Sequence, residues 1–322
     1  MCIPNSLLYP CIMPSIPEDY IRARASMSYL FDFLPIDRII FIGPDSLKSL
    51  IENDKKFFPI DFLDESELLP LKTVKKIYDP LLSSTSLKSI SSVNWYYQQF
   101  LKMAYSKICE SEYYLCWDSD TIPMRKIDMF SAAGKPYFDI KPEYNSSYFI
   151  TLQRLFGYNK VIEGSFISEH MLFKTDFMLE LINEIEKLDF DGKFFYEKIL
   201  SAIGSDNLKL GFSEFETFGT FVAMRHQSDY MLRHWKSFRN TNFFIDRSQL
   251  IKEDIDWLSK DYDAATFEKY HETENSLTEL FRNPYYREKL SPKQFYTAIL
   301  ESGIMGEYVD GKIKIGDNFF PV

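Results

Sequence analysis

Four short apolar runs, YPCIMP (9–14), DRIIFIGP (37–44), FFPIDFLD (57–64) and YYLCW (113–117), are spaced through the first 120 residues. Runs this brief and this apolar read as strands covered on both faces. Between them, EDYIRARASMSYLFDFL (18–34) carries Ile21, Ala25, Tyr29 and Phe33 at helical spacing. The alternation predicts an α/β layer with a mostly parallel, Rossmann-like sheet flanked by helices. In such sheets ligands gather outside the carboxyl ends of the strands. No GxGxxG follows the first run and no GxxxxGK[ST] occurs. A phosphate-bearing ligand therefore needs an anchor other than a glycine-rich loop.

The end of the fourth run offers one. In YYLCWDSDTIPMR (113–125) five apolar residues lead straight into Asp118 and Asp120. Charge at the end of a buried strand is tolerable where a cation or hydrogen bonds neutralise it. Two carboxylates there make a good oxygen site for Mg²⁺ or Mn²⁺, whose open positions substrate phosphates can fill. On an extended chain both side chains point the same way. A turn at Ser119 would let one hold the metal and the other a ribose or sugar hydroxyl. A plain turn is the bland alternative. An EF-hand is excluded, because Thr-Ile-Pro follows where a Ca²⁺ loop needs another oxygen ligand and Gly.

The bulk numbers narrow the partners. Net charge is −10, from 47 acidic against 37 basic residues, which argues against nucleic acid and broad attraction to anionic lipid. A composition 45% hydrophobic and 26% charged is that of a folded protein. Cys2, Cys11, Cys109 and Cys116 form no CxxC pair and read as reduced thiols. The N-terminus has prolines where a signal peptide would have its apolar core. No stretch approaches the roughly 20 apolar residues of a membrane span. A cytoplasmic protein with at most peripheral contact at the inner face of the membrane is expected.

Further along, PLLSSTSLKSISSV (80–93) reads as a Ser-rich loop and residues 94–112 as a helix. That helix has an apolar stripe of Tyr97, Leu101, Ala104 and Ile108. Trp95, Gln98, Gln99 and Lys102 share another face, suited to solvent or to a ligand. A strand is expected around 166–173, a helix from about 175, and another helix within 211–226. From about 250 the pattern is charged and helical.

The stretch from NWYYQQF through DSDTIPMR resembles the DxD segment of GT-A fold glycosyltransferases. It is most similar to a sparsely characterised bacterial family with a Trp-Tyr-x-Gln-Gln helix before that strand. GSFISEHMLF (164–173) resembles the segment that passes under sugar and diphosphate in this fold, and SEFETFG (213–219) the acidic base motif of inverting members. The resemblance covers residues 90–225 well and 9–64 loosely. It implies a GT-A catalytic domain over 1–250, while the charged helical pattern of 251–322 reads as a C-terminal helical extension. It also implies a nucleotide-diphosphate sugar donor, UDP-linked by preference, and a glycan or lipid-linked glycan acceptor. Mn²⁺ or Mg²⁺ would be held by Asp120, while Asp118 orients ribose or sugar.

Other roles follow from that resemblance. Glu214, 94 residues after Asp120, matches the place of an inverting base, and Glu216 is the alternative. Ser213 with Glu216 also forms a capping-box pattern, which would leave Glu214 to face a cleft. His234 is a candidate last metal ligand, with His226 a weaker one, and Lys236 in the same RHWKSF loop would meet a phosphate. Pro14 and Ser15, ending the first strand, lie where the nucleotide base belongs. Gln98, Gln99, Lys102, Ser119 and His170 complete the donor contacts, although His170 could equally be a hydrogen-bonded core residue. Arg125 and Lys126 read as phosphate contacts or solvated cations, and His271 as surface. Two other readings compete: a haloacid-dehalogenase-type phosphatase using Asp118 and Asp120, and a non-catalytic carbohydrate-binding relative.

Overall fold

The computed structural model describes residues 8–268 and 272–305, and beyond these the backbone of three strands, Glu307–Val309, Lys312–Ile315 and Asn318–Pro321. Cys2 and His271 lie outside the described residues. The chain divides into two compact units. One holds the chain up to Tyr20, Pro35–Ser119 and Asp128–Trp235; the other holds Ile21–Leu34, Asp120–Ile127 and everything from Lys236 onward. The expected boundary at 250 thus falls inside the second unit.

A five-stranded sheet organises the first unit. Its strands are β1 (Tyr9–Pro14), β2 (Ile36–Gly43), β3 (Ile60–Asp64), β4 (Tyr113–Trp117) and one late strand, His170–Lys174. The order is β3-β2-β1-β4 followed by the late strand, parallel throughout except for that last, antiparallel member. This is the mixed α/β layer with a mainly parallel sheet that the alternation of apolar runs predicts. β4 is buried at all five residues, as a strand covered on both faces must be. Pro10, which has no N–H to give, sits where the β1–β2 register slips. Cys11 on β1 and Cys116 on β4 are both free and fully buried.

The helix Val93–Ala104 begins at Ser92, whose hydroxyl accepts the Trp95 N–H at 3.3 Å. It buries Tyr96, Tyr97, Phe100 and Leu101 and is shorter than expected, giving way to a 3-10 turn at Tyr105–Lys107. Ile108 consequently leaves the stripe and is exposed. The segment 18–34 is two helices, Pro17–Arg24 and Met27–Phe33. Pro80 lies inside the helix Leu71–Ser84, so the Ser-rich loop starts later than 80. The Ser83 and Ser84 hydroxyls bond back to the carbonyls of Asp79 and Pro80 around this break. Farther on, the helix Glu214–Arg225 lays Gly219 against Phe166, where a Cβ would come within 2.3 Å of the ring.

Two further parallel strands of this unit, Tyr137–Ile140 and Met231–His234, pair in register from Tyr137 with Met231 to Ile140 with His234. His234 and Trp235 are therefore set by a strand, not by the loop expected at RHWKSF.

The second unit is not purely helical. Its core gathers Phe238, Phe244, Trp257, Phe281 and Phe295 around a three-stranded sheet of Thr121–Pro123, Ala264–Thr266 and Ser237–Phe238. The fully buried Asp254 takes Arg282 at 2.8 Å and Arg287 at 2.5 Å. The three strands beyond Met305 form an antiparallel sheet. Among the described residues no helix is long and apolar enough to cross a membrane.

Candidate functional site

Strand order locates the candidate site. The chain runs β1, β2, β3 to one side and then returns to place β4 on the other side of β1. The carboxyl ends of β1 and β4 thus flank the point at which the winding reverses, where open α/β sheets bind ligands. Ile12 pairs with Cys116, and two residues beyond each lie Pro14 and Asp118. Ser15 follows, 7% exposed, with its hydroxyl unpartnered among the described residues. Its N–H donates to Ile42 at 2.8 Å, and its carbonyl leaves no room beside β2: a Cβ on Gly43 would lie 2.2 Å away.

Asp118 is held from the helix Val93–Ala104. Lys102 Nζ lies 3.0 Å from Asp118 Oδ1 and 2.8 Å from Glu214 Oε1, and 4.4 Å over the Phe215 ring. The Lys102 side chain is 7% exposed, Glu214 5%, Asp118 36%. Burial opposes the positive charge, but Asp118, Cys116 and Glu214 outweigh it and hold Lys102 well above its ordinary pKa. Gln99 is buried beside them, donating to the Trp95 carbonyl at 3.1 Å and accepting the Glu214 N–H at 3.1 Å. The helical face expected to be polar therefore splits: Gln98 is exposed, while Gln99 and Lys102 are internal.

Glu214, which the capping argument leaves to face a cleft, is buried, and its carboxylate balances the buried Lys102 ammonium. Only half of the capping box forms. Ser213 accepts the Glu216 N–H at 3.2 Å, but Glu216 turns away to accept Ser165 Oγ at 2.6 Å and Phe166 N–H at 3.1 Å. Burial raises the Glu216 carboxyl above its usual range against those hydrogen bonds.

His170 is a core histidine. It is 2% exposed, with Nε2 2.9 Å from Asp139 Oδ2 and Nδ1 2.8 Å from the Ser168 carbonyl, between the rings of Trp117 and Trp235. Neither ring nitrogen is left for a donor, which corrects its expected role. Arg233 completes that group with bonds of 2.6 and 2.7 Å to Asp139. His226 is engaged by Glu180 at 2.7 Å and stacks on Phe177. His234 is exposed at the end of its strand.

Sequence reasoning missed a second buried ion pair. Lys141 Nζ lies 2.5 Å from Glu169 Oε1, and Trp235 Nε1 donates to Glu169 Oε2 at 2.8 Å. Glu169 has φ of 57°, a left-handed conformation that costs a non-glycine residue about 1–2 kcal/mol. Its carbonyl accepts the Asp118 N–H at 2.9 Å. The one visible signal was a lone acid beside His170, just before the apolar residues Met171–Phe173.

The remaining candidates belong to the second unit. Asp120 is partly exposed, its carbonyl accepting the Phe267 N–H at 2.9 Å and its Oδ1 3.4 Å from Thr121 Oγ1. Arg125 is engaged within the second unit, its Nε donating to Asp263 at 2.8 Å. Lys126 and Lys236 are exposed, and the Lys236 N–H and carbonyl are both engaged by Asp263. Among the described residues no group of three or more His, Cys, Asp or Glu side chains is placed to hold a metal ion. Asp118 and Asp120 are each partly exposed, and a carboxylate is by chemistry a hard oxygen ligand of the kind Mg²⁺ and Mn²⁺ take.

A family model described as Family of unknown function (DUF6492) matches residues 36–281, more than half of the chain. The chain belongs to this family. This DUF6492 chain is similar in structure to mouse xyloside xylosyltransferase 1 in its apo form, at 13% identity and a TM-score of 0.43, over 81% of this chain and 98% of that one. It is also similar to the galactosyltransferase LgtC in complex with donor and acceptor sugar analogues, at 11% identity and a TM-score of 0.39, over 87% and 100%. A third is the apo glycosyltransferase GlyE of Streptococcus pneumoniae, at 13% identity and a TM-score of 0.38, over 92% and 64%. No curated protein matches the chain in sequence.

Proposed function

We propose that the protein is a metal-dependent glycosyltransferase of GT-A type. It would move a sugar from a nucleotide-diphosphate donor, UDP-linked by preference, to a hydroxyl of a surface-glycan acceptor. One observation carries the reading: an acid couple, Asp118-Ser119-Asp120, leaves β4 at the reversal point of a mainly parallel sheet, beside Pro14 and Ser15 at the end of β1. A nucleotide reaching this edge would meet the Pro14–Ser15 end of one strand and the Asp118 carboxylate at the end of the other.

Asp120, with Asp118, would hold Mn²⁺ or Mg²⁺, which as a Lewis acid stabilises charge building on the departing diphosphate. Asp118 would take a ribose or sugar hydroxyl, its other oxygen fixed by Lys102. The anomeric carbon passes through an oxocarbenium-like state, and the acceptor hydroxyl must lose its proton. The ion pair with Lys102 assigns Glu214 to charge balance in the protein as it stands, so its part in that proton transfer is a separate question with a separate variant.

A thermal-shift screen of nucleotide sugars with and without Mn²⁺, followed by release of nucleoside diphosphate and NMR of the product's anomeric proton, tests the reading. Asp120→Ala should abolish transfer and weaken donor binding in Mn²⁺. Glu214→Gln should lower turnover with donor affinity near normal if Glu214 is the base. Transfer unchanged in Asp118→Ala and Asp120→Ala would overturn the assignment.

A further inference from the structure

Two chains of polar contacts run from the first turn of the helix Glu214–Arg225 to Asp118. One is direct: Glu214 to Lys102 to the Asp118 carboxylate. The other reaches the Asp118 backbone. Glu216 takes the Ser165 hydroxyl; Ser165 and Lys141 exchange backbone hydrogen bonds of 3.0 and 2.8 Å; Lys141 pairs with Glu169; and the Glu169 carbonyl receives the Asp118 N–H. The weak link in this second route is Glu169, the one non-glycine residue near the site held at positive φ. A side chain in that conformation relaxes unless something pins it. Here Lys141 and the indole N–H of Trp235 grip both carboxylate oxygens in a buried setting.

We infer that Glu169, locked by Lys141 and Trp235, is a positioning residue that sets where Asp118 leaves β4. It touches no substrate in this scheme. Its carbonyl fixes the Asp118 amide while Lys102 fixes the carboxylate, so backbone and side chain of the same aspartate are set independently. Releasing the lock lets Glu169 relax, swings its carbonyl away and frees the Asp118 N–H. The functional part of this inference rests on the glycosyl-transfer reading, whereas the ordering of Asp118 does not.

The test uses Glu169→Ala, which keeps a Cβ at the unfavourable backbone angle but removes the carboxylate, and Lys141→Met, which keeps Glu169 but removes its partner. Hydrogen exchange of the peptide spanning residues 113–120 should rise in both variants. Affinity for UDP-sugar in Mn²⁺ should fall about tenfold in each, and Asp118→Ala combined with either should be no weaker than Asp118→Ala alone. Unchanged exchange in both variants, or affinity losses that multiply in the double variants, would overturn the inference. If the wild-type protein binds no nucleotide sugar while exchange still responds, the positioning of Asp118 stands and the transfer reading falls.

Discussion

Lys102 Nζ sits 2.8 Å from Glu214 Oε1, with neither side chain more than 7% exposed. A buried pair of this kind adds little over an apolar pair of equal volume, yet leaving one partner alone is expensive. Lys102→Met should destabilise the protein by about 3–5 kcal/mol. The double variant Lys102→Met with Glu214→Met should recover a large part of that loss. Urea unfolding of the four proteins forms the cycle, and additive losses would count against the pairing.

Gly43→Ala probes the edge that carries Ser15. The added methyl would start 2.2 Å from the Ser15 carbonyl and 2.9 Å from Leu47. Backbone cannot swing aside as a side-chain tip can, so a loss of about 1–3 kcal/mol is expected. Under the proposed function donor affinity drops as well, since the β1 end shifts. A variant as stable as the parent in a denaturant titration would show that this close approach is not real.

Gly219→Ala sets two effects against each other. Alanine improves helix propensity by about 1 kcal/mol. Its Cβ, however, would lie 2.3 Å from the Phe166 ring, and overpacking costs about 1–3 kcal/mol. The net effect should be destabilising, and Phe166→Leu in the same chain should relieve it. Thermal unfolding of the single and double variants decides the order.

Acid stability should report on Asp139. Burial raises its carboxyl pKa, but the hydrogen bonds from Arg233 and His170 overcome that and hold it below the ordinary value. A depressed folded-state pKa stabilises the fold above the unfolded value of about 3.9, and this contribution fades as pH falls through the folded value. The stability gap between wild type and Asp139→Asn should therefore shrink as pH falls below about 4. A gap constant down to the lowest pH at which both proteins fold would contradict the pairing with Arg233 and His170.

Local apolar pattern carried the framework well. β1 matches the run at 9–14 residue for residue, β2 matches the run at 37–44 to within one residue at each end, β3 lies within its run, and the helix Thr175–Lys187 begins where expected. Those features depend on neighbours in sequence. What escaped depends on partners far along the chain. Lys102 and Gln99 read as facing solvent or a ligand on a helical wheel because nothing nearby says that Glu214, more than a hundred residues on, will meet them. Lys141 and Glu169 are unremarkable in sequence until Trp235 and the Asp118 amide close around them. His170 sits in an apolar strand, and only the arrival of Asp139 from another strand settles that it is internal. The second unit escaped for a related reason: it is assembled from three separated pieces, and no local signal marks a discontinuous body.

Cys11 on β1 and Cys116 on β4, one register step apart and both shut off from water, amount to a built-in clock. Burial raises both thiols above their ordinary pKa, so an alkylating reagent finds them only when the sheet parts. The partly exposed Cys109 supplies the unprotected reference in the same tube. Labelling rates would thus time the breathing of the two strands whose tips bear Pro14 and Asp118, and any small molecule that clasps those tips should slow the clock without a single engineered probe.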